Sequence, residues 1–354
     1  MFKLLSFIGF FFLGALSSLI INKLLLQFSE SLGIRNKNDI NIRWSNRAKP
    51  SLGGISLFIG FLAAIIFYMI FIPTINLFSI VEFVCLFIAV SLAFLMGLAD
   101  DAYNTKPLLK LLIQITCGLI VAYSGIQIKI TDIYFLNVIL TTLWVVILMN
   151  SINMLDNMDG IATIVCIYIL ITCLLTNIIF GVDNNSAWNL IILTSIGSLI
   201  GFLAYNFSPA KMFMGDSGSQ FLGLICAIFS LKFLWGLNNV VSHVPLWGIL
   251  VAIIICFVAP CIDTLTVVIN RIKNKTSPFI GGKDHTTHHL FFAGYTERKI
   301  FYIFLIIGAS SSLLSILLLL VDHNHLYWLS TLAIVYFVAI FYFLYRNTIL
   351  YKQN

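Results

Sequence analysis

The chain has 354 residues, of which 60% are hydrophobic and only 10% charged, with a formal net charge of +6. A soluble globular domain carries about 25% charged residues, so too few polar side chains exist here to wet a globular surface. That composition excludes a soluble enzyme, a nucleic-acid binder and a disordered chain, and leaves a polytopic membrane protein.

A membrane span needs about 20 mostly apolar residues. Eleven stretches qualify as candidates, at about 2–21, 53–72, 80–98, 108–124, 133–149, 161–180, 189–205, 220–236, 246–269, 300–320 and 326–345. They are too uniformly apolar for barrel strands, which alternate. The fold class expected is therefore an all-α polytopic membrane protein with about 11 transmembrane helices. The first stretch is long for a signal segment and lacks a small-residue cleavage site, so it reads as a span. All of the 20 Lys and Arg except Lys3, Lys129 and Lys232 fall after odd-numbered spans or in the C-terminal tail. Basic residues stay cytoplasmic, which predicts an N-terminus outside and a C-terminus in the cytoplasm. The chain reads as one membrane domain over 1–354, with cytoplasmic loops at about 22–52, 99–107, 150–160, 206–219 and 270–299. Its seven cysteines all lie in apolar stretches, so neither a disulfide framework nor a metal knuckle is expected.

Polar residues near a membrane are costly and ask for a reason. Five groups fall on the predicted cytoplasmic side. Asp100 and Asp101 end the third span, where acids oppose the helix dipole. A divalent cation or a shared proton would relieve their repulsion; a solvated helix end is the plainer reading. Asn150, Asn153, Asp156 and Asp159 recur every three residues, and a broken helix end would gather them around one site. The alternative is a polar turn with side-chain caps. Asn206, Phe213 and Asp216 lie in a segment where Gly215 and Gly218 flank Asp216, a loop able to approach phosphate or metal. A GDSGS run also surrounds serine nucleophiles, but in a β-barrel setting that is absent here. His285, His288 and His289 share a face if helical, and could hold zinc or donate to phosphate. Arg47 and Lys49 precede paired glycines, which suits an anion, as it suits any juxtamembrane cytoplasmic loop. Asp263 either reaches the same cavity or bonds a neighbouring helix. Carboxylates for Mg²⁺, cations for phosphate and glycines for close approach together suit phosphoryl transfer. Apolar walls point to a lipid substrate.

At these residues the chain resembles the polyprenyl-phosphate N-acetylhexosamine-1-phosphate transferases. The family's paired aspartates fall on Asp100 and Asp101. Its Asn-x-x-Asn-x-x-Asp-Gly-x-Asp-Gly pattern falls on Asn150, Asn153, Asp156, Asp159 and Gly160, with Asn157 in place of the first glycine. Its Gly-Asp-x-Gly-Ser falls on Gly215, Asp216, Gly218 and Ser219, and its histidine loop on His285, His288 and His289. The DHTTHHL spelling looks more like the N-acetylglucosamine branch than the muramyl-pentapeptide branch.

The resemblance implies transfer of a sugar-1-phosphate from a UDP-N-acetylhexosamine to undecaprenyl phosphate, releasing UMP at the cytoplasmic face of a bacterial inner membrane. The product would start an O-antigen, teichoic acid or capsule-type glycan. Mg²⁺ is the implied cofactor, with Mn²⁺ the alternative, held by Asp216 with Asn153 and Asp100. Asp100 would deprotonate or orient the lipid phosphate, and Asp101 would support metal or substrate. Asp159 and Phe213 would hold the uracil, and Asn206 the nucleotide. Asn150, Asn153 and Asp156 complete the substrate site. His285, His288 and His289, with Lys49 or Arg47, would neutralise the diphosphate. Direct attack and a covalent aspartyl intermediate both remain open here. Implied partners are the nucleotide sugar, undecaprenyl phosphate, membrane lipid and a second copy in a homodimer, with no nucleic acid. The rival readings are the phospho-N-acetylmuramoyl-pentapeptide transferase, a catalytically silent scaffold, and a cation-coupled transporter, whose acids belong near the midplane.

Overall fold

The computed structural model describes residues 2–29, 49–71, 80–183, 186–241, 244–277 and 282–351. Arg47 lies outside these residues. Among them every regular element is helical, and no strand is present. In chain order the α-helices are α1 (Phe2–Phe28), α2 (Gly53–Phe71), α3 (Ile80–Tyr103), α4 (Pro107–Tyr123), α5 (Tyr134–Leu155), α6 (Ile161–Phe180), α7 (Ser186–Asn206), α8 (Gly215–Phe233), α9 (Leu246–Cys256), α10 (Val258–Lys273), α11 (Thr286–Phe292), α12 (Glu297–Leu320) and α13 (His323–Leu350). Helices close their own backbone hydrogen bonds, which hydrocarbon requires.

Nine of these helices are long and apolar enough to cross a membrane, and a bent pair makes up to ten. The fourth expected span is α4, a shorter apolar helix of 17 residues. The ninth is not one straight rod as expected. It breaks at Phe257 into α9 and α10, bent by 75°. Pro260 is the third residue of α10. Its missing N–H costs nothing in the first turn of a new helix, but would cost a bond inside a continuous one.

Two expected loops are also shorter than their polar sequences imply. Helix α5 runs on to Leu155, so Asn150 and Asn153 are helical and the link to α6 is only 156–160. Helix α7 ends at Asn206 and α8 begins at Gly215, leaving 207–214 between them.

Helix α8 is the axis of the bundle. It packs against α2, α3, α5 and α6. Between Asp216 and Lys232 it carries no charge, and most of its side chains are buried. Hydrogen bonds between side chains tie helices together inside the bundle. Trp144 Nε1 donates to Ser230 Oγ at 2.9 Å, and Thr172 Oγ1 to Ser312 Oγ at 2.8 Å. Bonds of this kind between membrane helices contribute about 1 kcal/mol each. All seven cysteines are free.

Candidate active site

The polar residues collect at one end of α8. The first pair is delivered by the end of α3. Asp101 accepts hydrogen bonds from the backbone N–H groups of Asp216 at 3.0 Å and Ser217 at 2.9 Å. It thus caps the start of α8, where the helix dipole favours an anion. Such charge-assisted bonds contribute about 1.5–3 kcal/mol each. Gly215, at φ +76°, makes the turn into the helix. A Cβ there would sit 2.7 Å from an Asp101 carboxylate oxygen. Gly97 allows the same approach one turn earlier, since a Cβ would lie 2.2 Å from Asp216 O.

Asp100 faces another way. Its Oδ1 accepts from Thr105 N at 2.8 Å and Thr105 Oγ1 at 2.7 Å. Its Oδ2 pairs with Lys110, in the first turns of α4. The Lys110 ammonium also reaches Asp216 Oδ2 at 3.3 Å. Asp216 Oδ1 accepts from Asn153 Nδ2 at 3.0 Å, and Asn153 also donates to Ser219 Oγ at 2.8 Å. Asp216 is therefore held from α4 and α5, with Asp101 gripping its backbone. Lys110 carries this arrangement, and motif reading passed over it. The available signal was a single cation inside an otherwise apolar helix.

A cavity opens beside Asp216. With its mouth it encloses about 900 Å³. Its wall includes Lys49, Asp101, the 156–159 link, Asn206, Phe213, Gly215, Asp216, Gly282, His288 and Glu297. Backbone pairing builds one side. Phe213 N donates to Pro50 O at 3.0 Å, and Gly53 N to Phe213 O at 3.1 Å. That pairing sets the Lys49 ammonium 5.0 Å from the Phe213 ring centre. Lys49 also lies 3.6 Å from Asp159 Oδ2, which accepts from Ala210 N at 2.8 Å. Burial raises the Asp159 carboxyl above its ordinary value, opposed by the Ala210 N–H and Lys49. Glu297, at the start of α12, accepts from Ser208 Oγ at 2.6 Å and was missed by motif reading.

Several expected site residues sit elsewhere or do other work. Asn150 is not at the cavity wall. It exchanges hydrogen bonds with Gln114, which also donates to Gln220 Oε1 at 3.1 Å. Of the four polar residues at three-residue spacing, Asn153, Asp156 and Asp159 gather at the site, whereas Asn150, a turn earlier on α5, faces Gln114 of α4. Asp100 is not on the cavity wall, and Lys110 pairs with both it and Asp216. Asn206 touches the cavity, but its amide is engaged within the fold. Its Oδ1 accepts from Gly160 N at 3.0 Å and Thr163 Oγ1 at 2.9 Å, and its Nδ2 donates to Met212 O at 3.1 Å.

The three histidines take different partners, although the His285 and His288 rings pack edge to face with centres 5.4 Å apart. His285 precedes α11 in extended backbone. Its Nδ1 donates to Asp263 Oδ2 at 2.9 Å, while Asp263 Oδ1 accepts from Thr286 N at 2.9 Å. Asp263 therefore holds the histidine segment and is not on the cavity wall. His289 Nδ1 donates to Tyr351 O at 2.6 Å. Only His288 lines the cavity. Burial drives its imidazole down to about 3, with His285 beside it adding to the shift. Burial also lowers His289. These two rings are neutral at pH 7 and act as hydrogen-bonding groups. Before this segment, Arg271 grips Asp284 through Nε at 2.7 Å and Nη2 at 2.8 Å. Burial pushes the Asp284 carboxyl up, but the Arg271 bonds and charge outweigh it and hold it below the usual range.

Residues 83–234 match the family described as glycosyl transferase family 4. A Bacillus subtilis protein named probable undecaprenyl-phosphate N-acetylglucosaminyl 1-phosphate transferase is 29% identical, over 94% of this chain and 88% of its own. Over nearly all its length the chain is similar to this relative, and over residues 83–234 to glycosyl transferase family 4. That is the family the motifs resembled. The Mycobacterium leprae decaprenyl-phosphate N-acetylglucosaminephosphotransferase is 27% identical over 71% of this chain and 68% of its own. The Staphylococcus carnosus phospho-N-acetylmuramoyl-pentapeptide-transferase is 27% identical over 64% and 63%. The family-4 match runs from α3 to α8, a segment that contains Asp100, Asp101, Asn153, Asp159 and Asp216.

Proposed function

We propose that the chain transfers N-acetylglucosamine-1-phosphate from its UDP derivative to undecaprenyl phosphate, releasing UMP, at the cytoplasmic face of the bacterial inner membrane. One observation carries this reading. At the end of an apolar bundle, the cavity wall sets five carboxylates (Asp101, Asp156, Asp159, Asp216 and Glu297) against one lysine, Lys49. A bare diphosphate would be repelled by that wall. A diphosphate carrying a divalent cation would be drawn to it.

The residues present fit such an ion. Among the described residues no group of three or more His, Cys, Asp or Glu forms a metal cluster. Mg²⁺ does not need one, because it binds through one or two carboxylates and completes its shell with water and substrate phosphate. Asp216 on the cavity wall would hold it, with Asn153 and Asp100 next to it. When bound, the ion neutralises the diphosphate and its developing charge.

The remaining work falls to the protein. A lipid phosphate oxygen attacks the phosphorus attached to the sugar. A new P–O bond forms, and the bond to the bridging oxygen breaks. UMP leaves with that electron pair. No proton need move if the attacking phosphate is already ionised, which favours direct attack over a covalent aspartyl intermediate. Phe213 and Lys49 offer a stacking face and a cation for the uracil, with Asp159 beside them. Lys110 and Asp101 hold Asp216 in place from beneath. His288 borders the cavity as a neutral ring held by the Asn157 backbone.

The pentapeptide transferase is the second reading, since a relative of that name aligns with part of the chain. The N-acetylglucosamine reading is preferred because the B. subtilis relative aligns over nearly all of it. The test is UMP release from purified full-length protein with undecaprenyl phosphate, Mg²⁺ and a panel of UDP-sugars. Release with UDP-N-acetylglucosamine is expected, and none without Mg²⁺. Release only with the muramyl-pentapeptide donor would replace the first reading by the second.

A further inference from the structure

The 156–160 link and α11 meet at the cavity wall, and the contact is made by Asn157. This is the position where the resembling pattern has a glycine. Among the described residues, positive φ occurs at Asn104, Lys275 and five glycines, and Asn157 is not one of them. The backbone at 157 therefore accepts a side chain without strain. Both ends of that side chain are used. Nδ2 donates to Met154 O at 2.7 Å, and Oδ1 accepts from Thr287 Oγ1. A carbonyl can only accept, so the bond to Met154 fixes which end of the amide faces Thr287.

Helix α11 has seven residues. A helix that short does not hold itself. Side chains and backbone from three directions anchor it: Asp263 at Thr286, Tyr351 O at His289, and Asn157 at Thr287. Of these anchors only Asn157 borders the cavity, adjacent to His288 on the same wall. Its other bond goes to the last turn of α5, which also carries Asn153, the partner of Asp216. One short chain of contacts thus joins the Asp216 side of the cavity to the histidine side.

We propose that Asn157 is a positioning residue that clasps α11 through Thr287, and so holds His288 where the cavity grips a nucleoside diphosphate. The inference rests on the transferase reading for its choice of ligand. Full-length protein in detergent tests it in two ways. Steady-state UMP release from UDP-N-acetylglucosamine gives KM and kcat. Titration with UDP, read as a shift in Tm, gives affinity without turnover. Asn157→Gly and Thr287→Val should each raise KM and weaken UDP binding by roughly threefold to tenfold, the worth of one neutral hydrogen bond. The kcat should change by less than about twofold, because the grip is the same in ground and transition states. The double variant should be no worse than the worse single. Thr287→Ser, which keeps the donor, should bind UDP like the parent. Unchanged UDP affinity in Asn157→Gly, or equal losses in Thr287→Ser and Thr287→Val, would overturn the clasp. A parent protein that binds UDP but releases no UMP would overturn the transferase reading alone, and the UDP titrations would still decide the clasp.

Discussion

Two lysines in this bundle each sit between two carboxylates, at opposite ends of α8. Lys232 on the last turn of α8 lies 2.8 Å from Glu82 and 2.7 Å from Asp183. Its ammonium is 4.7 Å from the Trp188 ring centre. Lys110 lies between Asp100 and Asp216. The clusters are about 24 Å apart along the α8 axis. In the first, the three charged side chains are similarly shielded, at 17–22% exposure. In the second, Asp100 is 5% exposed and Asp216 33%. Asp216 borders the cavity, and Asp101 adds a third carboxylate close by. The same chemical parts make a staple in one place and a site in the other. What differs is a third acid and an opening.

Substitution should separate the two ends sharply. Asp216→Asn is expected to lower kcat at least about a hundredfold, the scale of losing one preorganised charge in a closed site. Lys232→Met should instead lower the unfolding midpoint, by stranding Glu82 and Asp183, and leave UMP release largely intact. Equal losses of kcat in both variants would erase the distinction. Lys110→Met comes next. It leaves Asp100 and Asp216 facing each other without their shared cation, and kcat should fall by roughly tenfold to a hundredfold. Asp101→Asn keeps one acceptor and surrenders one of two charge-assisted bonds. A loss of about tenfold in activity is expected, from about 1.5 kcal/mol of misplaced Asp216. The smallest effect concerns pH. His288 is neutral in the fold down to about 3, whereas an unfolded histidine takes up a proton below about 6.5. Between those values the unfolded state binds more protons, so stability rises with pH and falls on acidification. The Tm should drop from pH 7 to pH 5, and His288→Gln should flatten that slope.

Much of the architecture was legible because hydrophobic runs of span length admit few alternatives. Each of the eleven apolar stretches forms helix, the ninth broken at Phe257. The break at Phe257 was not legible, because Pro260 sits in an apolar run and composition does not register a missing N–H. At the site, the sequence singled out Asp216, Asn153, Asp159, Phe213 and Lys49, and the fold brings all but Asn153 to one cavity wall and sets Asn153 against Asp216. Lys110 and Glu297 escaped, since each gains its meaning only from partners on other helices. The histidines illustrate the opposite error. A helical wheel groups His285, His288 and His289, but α11 starts one residue after His285. That offset sends the three rings to Asp263, the cavity and Tyr351. Asn157 stands where the family pattern has a glycine, and its backbone is not among the positive-φ positions of the described residues.

The burial of α8 has a consequence for how the protein meets its membrane. Within the most apolar window of each helix, 83% of α8 is buried but only 17% of α1 and of α13. Lipid therefore presses on the outer helices, and α8 is in contact with other helices on its sides. A bilayer that is thicker or thinner than the apolar belt is accommodated by tilt of the helices it touches. By their exposure, α1 and α13 are the helices expected to take up that adjustment first. Asp216 rides on the one helix that hydrophobic mismatch reaches last.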